Sequence, residues 1–149
     1  MITLTDYKMG RDKQYPKEWT PELEKNAKEL LDKVNMFLLK LGVKKAKVNS
    51  GWRPAAINDA TSNAAKSSTH MTGKGIDLGD ADGKLWELVV KNLEEAKRLG
   101  LYFEDKRWTS TWVHIQCVPP KSGNRIYIPS SAPAPAPKAW DGVYDKKFN

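Results

Sequence analysis

The segment "TPELEKNAKELLDKVNMFLLKLG", residues 20–42, constrains the fold more than any other. Leu23, Ala27, Leu30, Leu31, Val34, Phe37, Leu38 and Leu41 recur at three- and four-residue spacing, which places them on one face of an α-helix. Thr20 is suited to cap the helix, Pro21 fits its first position and Gly42 can end it. A stripe this wide must be buried, so the rest of the chain has to supply a surface to cover it.

That surface is expected from short strands. "AKVNSGWR" (46–53), "KGIDL" (74–78), "LYFE" (101–104), "WVHIQCV" (112–118) and "RIYIP" (125–129) read as strands. Asp82-Gly83 turns into a second helix at about 84–99, with Leu85, Leu88, Val89, Leu93 and Ala96 inward and Gly100 as its stop. Residues 1–19 read as irregular, and 54–69 as small and polar with one helical turn. The sum is an α+β domain over residues 1–129: two amphipathic helices packed on one side of a small, mostly antiparallel sheet. Residues 130–138 are a stiff Pro-Ala linker. Residues 139–149 form a tail carrying Trp140, Tyr144 and Phe148, which either folds back or docks on a partner.

Composition narrows the function classes. With 40% hydrophobic and 29% charged residues the chain reads as globular. No apolar run reaches the ~20 residues needed to span a bilayer, and no membrane partner is expected. "MITLTDYKMGRDKQYP" lacks the apolar centre of a secretory signal. The chain is therefore expected to be made in a cytosol and to stay there, or to leave by another route. Cys117 is the single cysteine, which excludes an internal disulfide and a cysteine zinc cluster. The net charge of +7 suits an anionic partner such as a nucleic acid, a membrane surface or a bacterial cell wall. The lysines are scattered and no nucleic-acid motif is present, so no specific nucleic-acid partner is expected.

Two histidines, His70 and His114, are the whole histidine complement. Alternation along 112–117 puts Trp112, His114 and Gln116 on the face opposite the apolar Val113, Ile115 and Cys117. The same alternation puts Asp77 opposite Ile76 and Leu78. His114 and Asp77 should thus face away from the core on rigid strands. Gly73 and Gly75 allow a tight turn between His70 and Asp77. Two imidazoles and one carboxylate suit Zn2+, and three protein ligands leave a fourth position for water. Spacing alone leaves both a metal site and an ordinary surface or core pair open.

"SGWRP" (50–54), "SSTHMTGKGIDL" (67–78) and "WVHIQ" (112–116) together resemble the zinc D-Ala-D-Ala carboxypeptidase family. That family includes phage L-alanyl-D-glutamate endolysins and shares its fold with the hedgehog signalling domain. Ser68, His70, Gly73, Asp77 and His114 fall on its pattern in order, and the resemblance spans about residues 20–118. "DYKMGRD" and "PPKSGNRIYIP" also resemble phage-borne members. The resemblance implies His70, Asp77 and His114 as zinc ligands. It implies Arg53 as the residue that binds the scissile carbonyl or peptide carboxylate. Ser68 would bind substrate or orient His70, and Trp112, sharing the His114 face, is taken as a substrate contact. Many members carry Glu or Asp three residues before the last histidine as general base, where this chain has Thr111. Glu104 and then Asp105, at the end of the neighbouring strand, are the expected substitutes, with Asp80 and Asp82 behind them.

The implied function is a zinc peptidase cutting peptide stems of peptidoglycan, phage-encoded, acting at the cell wall or carried in a virion. The alternative is a virion or tail module that keeps the zinc fold for binding or structure, with the C-terminal tail docking on other chains. A weaker third reading is a small nucleic-acid-binding protein.

Overall fold

The computed structural model describes residues 1–132. The expected Pro-Ala linker from residue 133 onward and the aromatic tail 139–149 lie outside the described residues.

The chain opens with two short helices, α1 (Leu4–Lys8) and α2 (Arg11–Gln14), where the sequence reads as irregular. The first is nucleated by a reciprocal cap. Thr3 accepts from the Asp6 backbone N–H while Asp6 accepts from the Thr3 backbone N–H at 2.8 Å. The long helix α3 (Pro21–Lys40) follows, capped by Thr20 as its sequence predicts, with Gly42 at positive φ just beyond it. Then come β1 (Val48–Ser50), α4 (Ala55–Asp59) and β2 (Gly75–Gly79). The expected second helix is two: α5 (Lys84–Lys91) and α6 (Leu93–Leu99). The break falls at Asn92, whose side-chain amide donates to the Leu88 carbonyl at 2.8 Å and whose backbone leaves the helical region (φ −127°, ψ 32°). After it come β3 (Tyr102–Glu104), a 3-10 turn (Lys106–Trp108), β4 (Trp112–Gln116) and β5 (Ile126–Tyr127).

The strands form one sheet in the order β1-β2-β4-β3-β5. All pairings are antiparallel except β3 with β5, which run parallel. The architecture is α+β, with a mostly antiparallel sheet. One sheet face is a row of apolar partners: Ile76 opposite Ile115, Ile115 opposite Phe103, and Phe103 opposite Ile126. All four are buried, and Phe103 meets Phe37 of α3 with ring centroids 5.7 Å apart. The stripe of α3 and the inward residues Val89 and Ala96 join the same core. Fully burying one such large side chain contributes about 1.5–3 kcal/mol. Among the described residues, no helix is long and apolar enough to cross a membrane.

Candidate metal centre

The opposite face of the same strands is polar, and the register lines its residues up. Ser50 pairs with Asp77 and Asp77 with His114. Phe103 pairs with Ile115, so one step along the antiparallel register sets Glu104 opposite His114. Glu104 in turn pairs with Tyr127. Cross-strand partners share a face, so Ser50, Asp77, His114, Glu104 and Tyr127 form a transverse row across all five strands.

The centre of this row is not solvated, contrary to the simple expectation of a face turned away from the core, while Ser50, Glu104 and Tyr127 are half-buried. His70, Asp77, His114 and Gln116 are all buried. The cover comes from α1 and from the loops around 51–54 and 67–74. Tyr7, fully buried, donates its hydroxyl to the Gly75 carbonyl at 2.9 Å, and its own carbonyl accepts from the Trp52 N–H.

His70 comes from the covering loop and is fixed at several points. Its N–H donates to Ser68 Oγ at 3.3 Å, and its carbonyl accepts from the Arg53 N–H at 3.1 Å. Ring Nδ1 lies 2.7 Å from the Gly51 carbonyl, which can only accept, so Nδ1 carries the proton and Nε2 is the bare nitrogen. Gly73 sits at φ +76°, where a Cβ would stand 2.8 Å from the Leu23 carbonyl oxygen. Gly75 is needed for a different reason than a turn: a Cβ there would collide with Thr69 Oγ1 and crowd His114 Cε1 at 3.3 Å.

Three ligand-type atoms converge here. Asp77 Oδ1 lies 2.8 Å from His114 Nδ1 and 3.3 Å from His70 Nε2. The two imidazole centroids are 5.2 Å apart. His70 Nε2 is buried with no hydrogen-bond partner among the described residues. A bare ring nitrogen facing a carboxylate oxygen across 3.3 Å is a meeting of two acceptors, and a cation between them resolves it. The set of two imidazole nitrogens and one carboxylate oxygen fits zinc. Among the described residues, His70, Asp77 and His114 are the group that could hold a metal ion.

Burial pushes Asp77 up, but His70 and His114 outweigh it and hold the carboxyl far below the usual range. Burial lowers His70 below the ordinary imidazole value, with Asp77 opposing. Burial also opposes charge on His114, but Asp77 and Glu104 outweigh it and raise that group.

The other expected site residues divide. Arg53 lies beside the ligand set: Nη2 donates to Asp77 Oδ2 at 3.0 Å and Nε to Ser50 Oγ at 3.0 Å. Nη1 has no hydrogen-bond partner among the described residues. Ser68 braces the His70 turn. Trp112, half-buried, begins β4 two residues before His114. Glu104 is half-buried and its carboxylate makes no hydrogen bond among the described residues. Burial raises its pKa, with the His114 charge opposing. Asp105, the second expected base, is turned to Arg107 instead. Its oxygens hold Arg107 at 2.9 and 2.6 Å and accept from the Arg107 N–H. Asp80 is likewise spent on Lys106 and the start of α5, and Asp82 is exposed beside Lys84. Thr111 is exposed and reaches inward only through its carbonyl, which accepts from the Asp80 N–H.

Sequence reasoning did not find Gln116 or Tyr127 as site residues. Gln116 Oε1 lies 3.1 Å from His114 Nε2 and 2.8 Å from the Tyr127 hydroxyl. The only available signal was the position of Gln116 on the His114 face.

A family model described as Peptidase M15 matches residues 3–116, well over half of the chain. The match takes in Arg53, His70, Asp77, Glu104 and His114. No curated protein and no solved structure matches the chain.

Proposed function

The chain belongs to the Peptidase M15 family, and on that premise we propose that it is a zinc peptidase cutting the peptide stems of bacterial peptidoglycan. The observation that carries this reading is the convergence of His70, Asp77 and His114 on one buried point, with Arg53 and Glu104 beside it. The net charge of +7 favours adsorption to an anionic wall.

Zinc held by His70, Asp77 and His114 would polarise the scissile carbonyl and make water acidic enough to attack near neutral pH. The protein's own residues do the rest. Glu104, opposite His114 and free of hydrogen bonds, accepts the proton of the attacking water and passes it to the leaving amine. Its raised pKa brings it closer to the operating pH than an ordinary glutamate. It stands in for the acid that Thr111 replaces. Arg53 is anchored on Asp77 and Ser50, which leaves Nη1 to hydrogen-bond the developing oxyanion or the substrate carboxylate. Ser68 holds the His70 turn, and Trp112 lines the approach to the strand. The protein acts at the cell wall, as a phage lysin or a virion-borne enzyme.

The test is hydrolysis of purified peptidoglycan by zinc-loaded protein, with products identified by mass spectrometry, beside an EDTA-treated sample and His114→Ala. Peptide release that disappears in both controls supports the peptidase, and the product masses name the bond. Absence of release from protein carrying one zinc per chain sinks it. The exposed Thr111 at the position of the usual acid favours a second reading in that case: a virion or tail module that keeps the zinc fold for binding. Deleting residues 131–149 would then impair assembly.

A further inference from the structure

We propose that Gln116 and Tyr127 are positioning residues of the metal centre. Through a two-link hydrogen-bond chain they lock the His114 ring in the tautomer that presents Nδ1 to the metal. The inference rests on the metal reading given above and adds residues that the ligand pattern does not contain.

The Val118 carbonyl can only accept, and it lies 2.7 Å from one end of the Gln116 amide. That end is therefore Nε2, the NH2 group. Turning the amide over would set two carbonyl oxygens against each other at hydrogen-bond distance, so the orientation is locked. Oε1 then faces His114 Nε2 at 3.1 Å and the Tyr127 hydroxyl at 2.8 Å. A carbonyl oxygen only accepts, so both partners donate to it. His114 Nε2 must carry a hydrogen. An imidazole that ligates a metal is neutral and keeps one N–H, so with Nε2–H held by Gln116 it is Nδ1, 2.8 Å from Asp77 Oδ1, that is left for the metal.

The consequence for the centre is specific. His70 has its Nδ1–H tied to the Gly51 carbonyl and offers Nε2. His114 has its Nε2–H tied to Gln116 and offers Nδ1. The two histidines are held in opposite tautomers, each with its bare nitrogen toward Asp77. Groups that hold a ligating histidine in this way fix ring orientation and raise ligand basicity. The Tyr127 hydroxyl, supplied by β5 at the edge of the sheet, fills the second acceptor site of Oε1. It stops Gln116 from rotating and polarises the amide that holds the ring. With Gln116 only 5% exposed, water has little access to replace either link.

The experiment uses the full-length chain, with zinc as the probe. Zinc affinity is measured by competition with a chromophoric chelator for the wild type, Gln116→Leu and Tyr127→Phe. The 15N shifts of the His114 ring are recorded in the zinc-loaded proteins, and thermal melts of the metal-free proteins check the fold. The wild type is expected to show metal-bound Nδ1 and protonated Nε2. Gln116→Leu should weaken zinc by about 10–100-fold, with the Nε2–H signal shifted or lost to exchange. Tyr127→Phe, which removes one hydroxyl, should produce a smaller loss in the same direction, and it carries the test if Gln116→Leu does not fold. Coordination through Nε2 in the wild type overturns the proposal. So does wild-type affinity with an unmoved Nε2–H signal in the variants. A wild type that takes up no zinc overturns the metal reading itself, a failure distinct from the other two.

Discussion

Two buried aspartates stand three residues apart in this chain and do opposite jobs. Asp80 is fully satisfied. Lys106 Nζ reaches its Oδ2 at 2.8 Å, and the Leu85 and Trp86 N–H groups donate to its two oxygens at 2.9 and 3.1 Å. A cation and two fixed donors already surround it, so it closes the start of α5 against the turn that carries Lys106. Asp77 has Arg53 on one oxygen, but its other oxygen faces two imidazoles through the ring nitrogens that their far-side hydrogen bonds leave for a ligand. The comparison separates structure from function by donor count. A buried carboxylate surrounded by donors holds the fold, and one facing acceptors is incomplete without a cation.

The sharpest way to break the comparison is to truncate both. Asp77→Ala is expected to abolish one-to-one zinc uptake and hydrolysis, read by metal analysis and peptide release. Asp80→Ala should leave zinc uptake intact and cost about 3–5 kcal/mol in urea unfolding, because Lys106 is left buried without its partner. Equal loss of zinc in the two variants would dissolve the distinction.

Next in size is Glu104→Gln, which should lower kcat by about 10²–10⁴-fold while zinc affinity stays near that of the wild type. The pH dependence follows from the direction of its shift. Glu104 must be ionised to act as base, and burial raises its pKa. Activity should therefore fall as pH drops through a value above the ordinary glutamate figure of about 4.3. An acid limb unchanged in the residual activity of Glu104→Gln would remove Glu104 from the role.

Gly75→Ala comes third. The new methyl meets Thr69 and crowds His114, which should cost about 1–3 kcal/mol and weaken zinc binding together. Thr20→Ala gives the smallest effect, about 1 kcal/mol from the lost cap on α3, with zinc binding untouched. It calibrates a cap made by a neutral hydroxyl against the one Asp80 makes with a charge. A zinc defect in Thr20→Ala would show that general destabilisation, not local geometry, governs the metal site.

The legible parts of the sequence are those governed by short-range periodicity. The 3.6-residue stripe of α3 and the two-residue alternation of β2 and β4 place Asp77 and His114 on the same sheet face before any coordinates are known. The Ser-x-His stretch places His70 by resemblance. The helical turns at 4–14 escaped notice because they are too short to show a period. Their one local signal is Thr3 and Asp6 three positions apart. The break at Asn92 escaped because Leu88, Val89, Leu93 and Ala96 keep helical spacing straight through it.

Which residue types lie on which face is written in the sequence, since that follows from backbone geometry over a few neighbouring positions. Long-range packing settles who meets whom. Asp80 finds Lys106 across 26 positions, Tyr127 finds Gln116 across 11, and α1 closes over a polar face that alternation alone would leave in water. It also set Glu104 and Asp105 apart. The register sets Glu104 opposite His114, while Asp105 closes on Arg107 two residues away. The reason is physical. Alternation fixes the side on which a carboxylate lies, but strand pairing and the nearest available donor fix whether it is free to act.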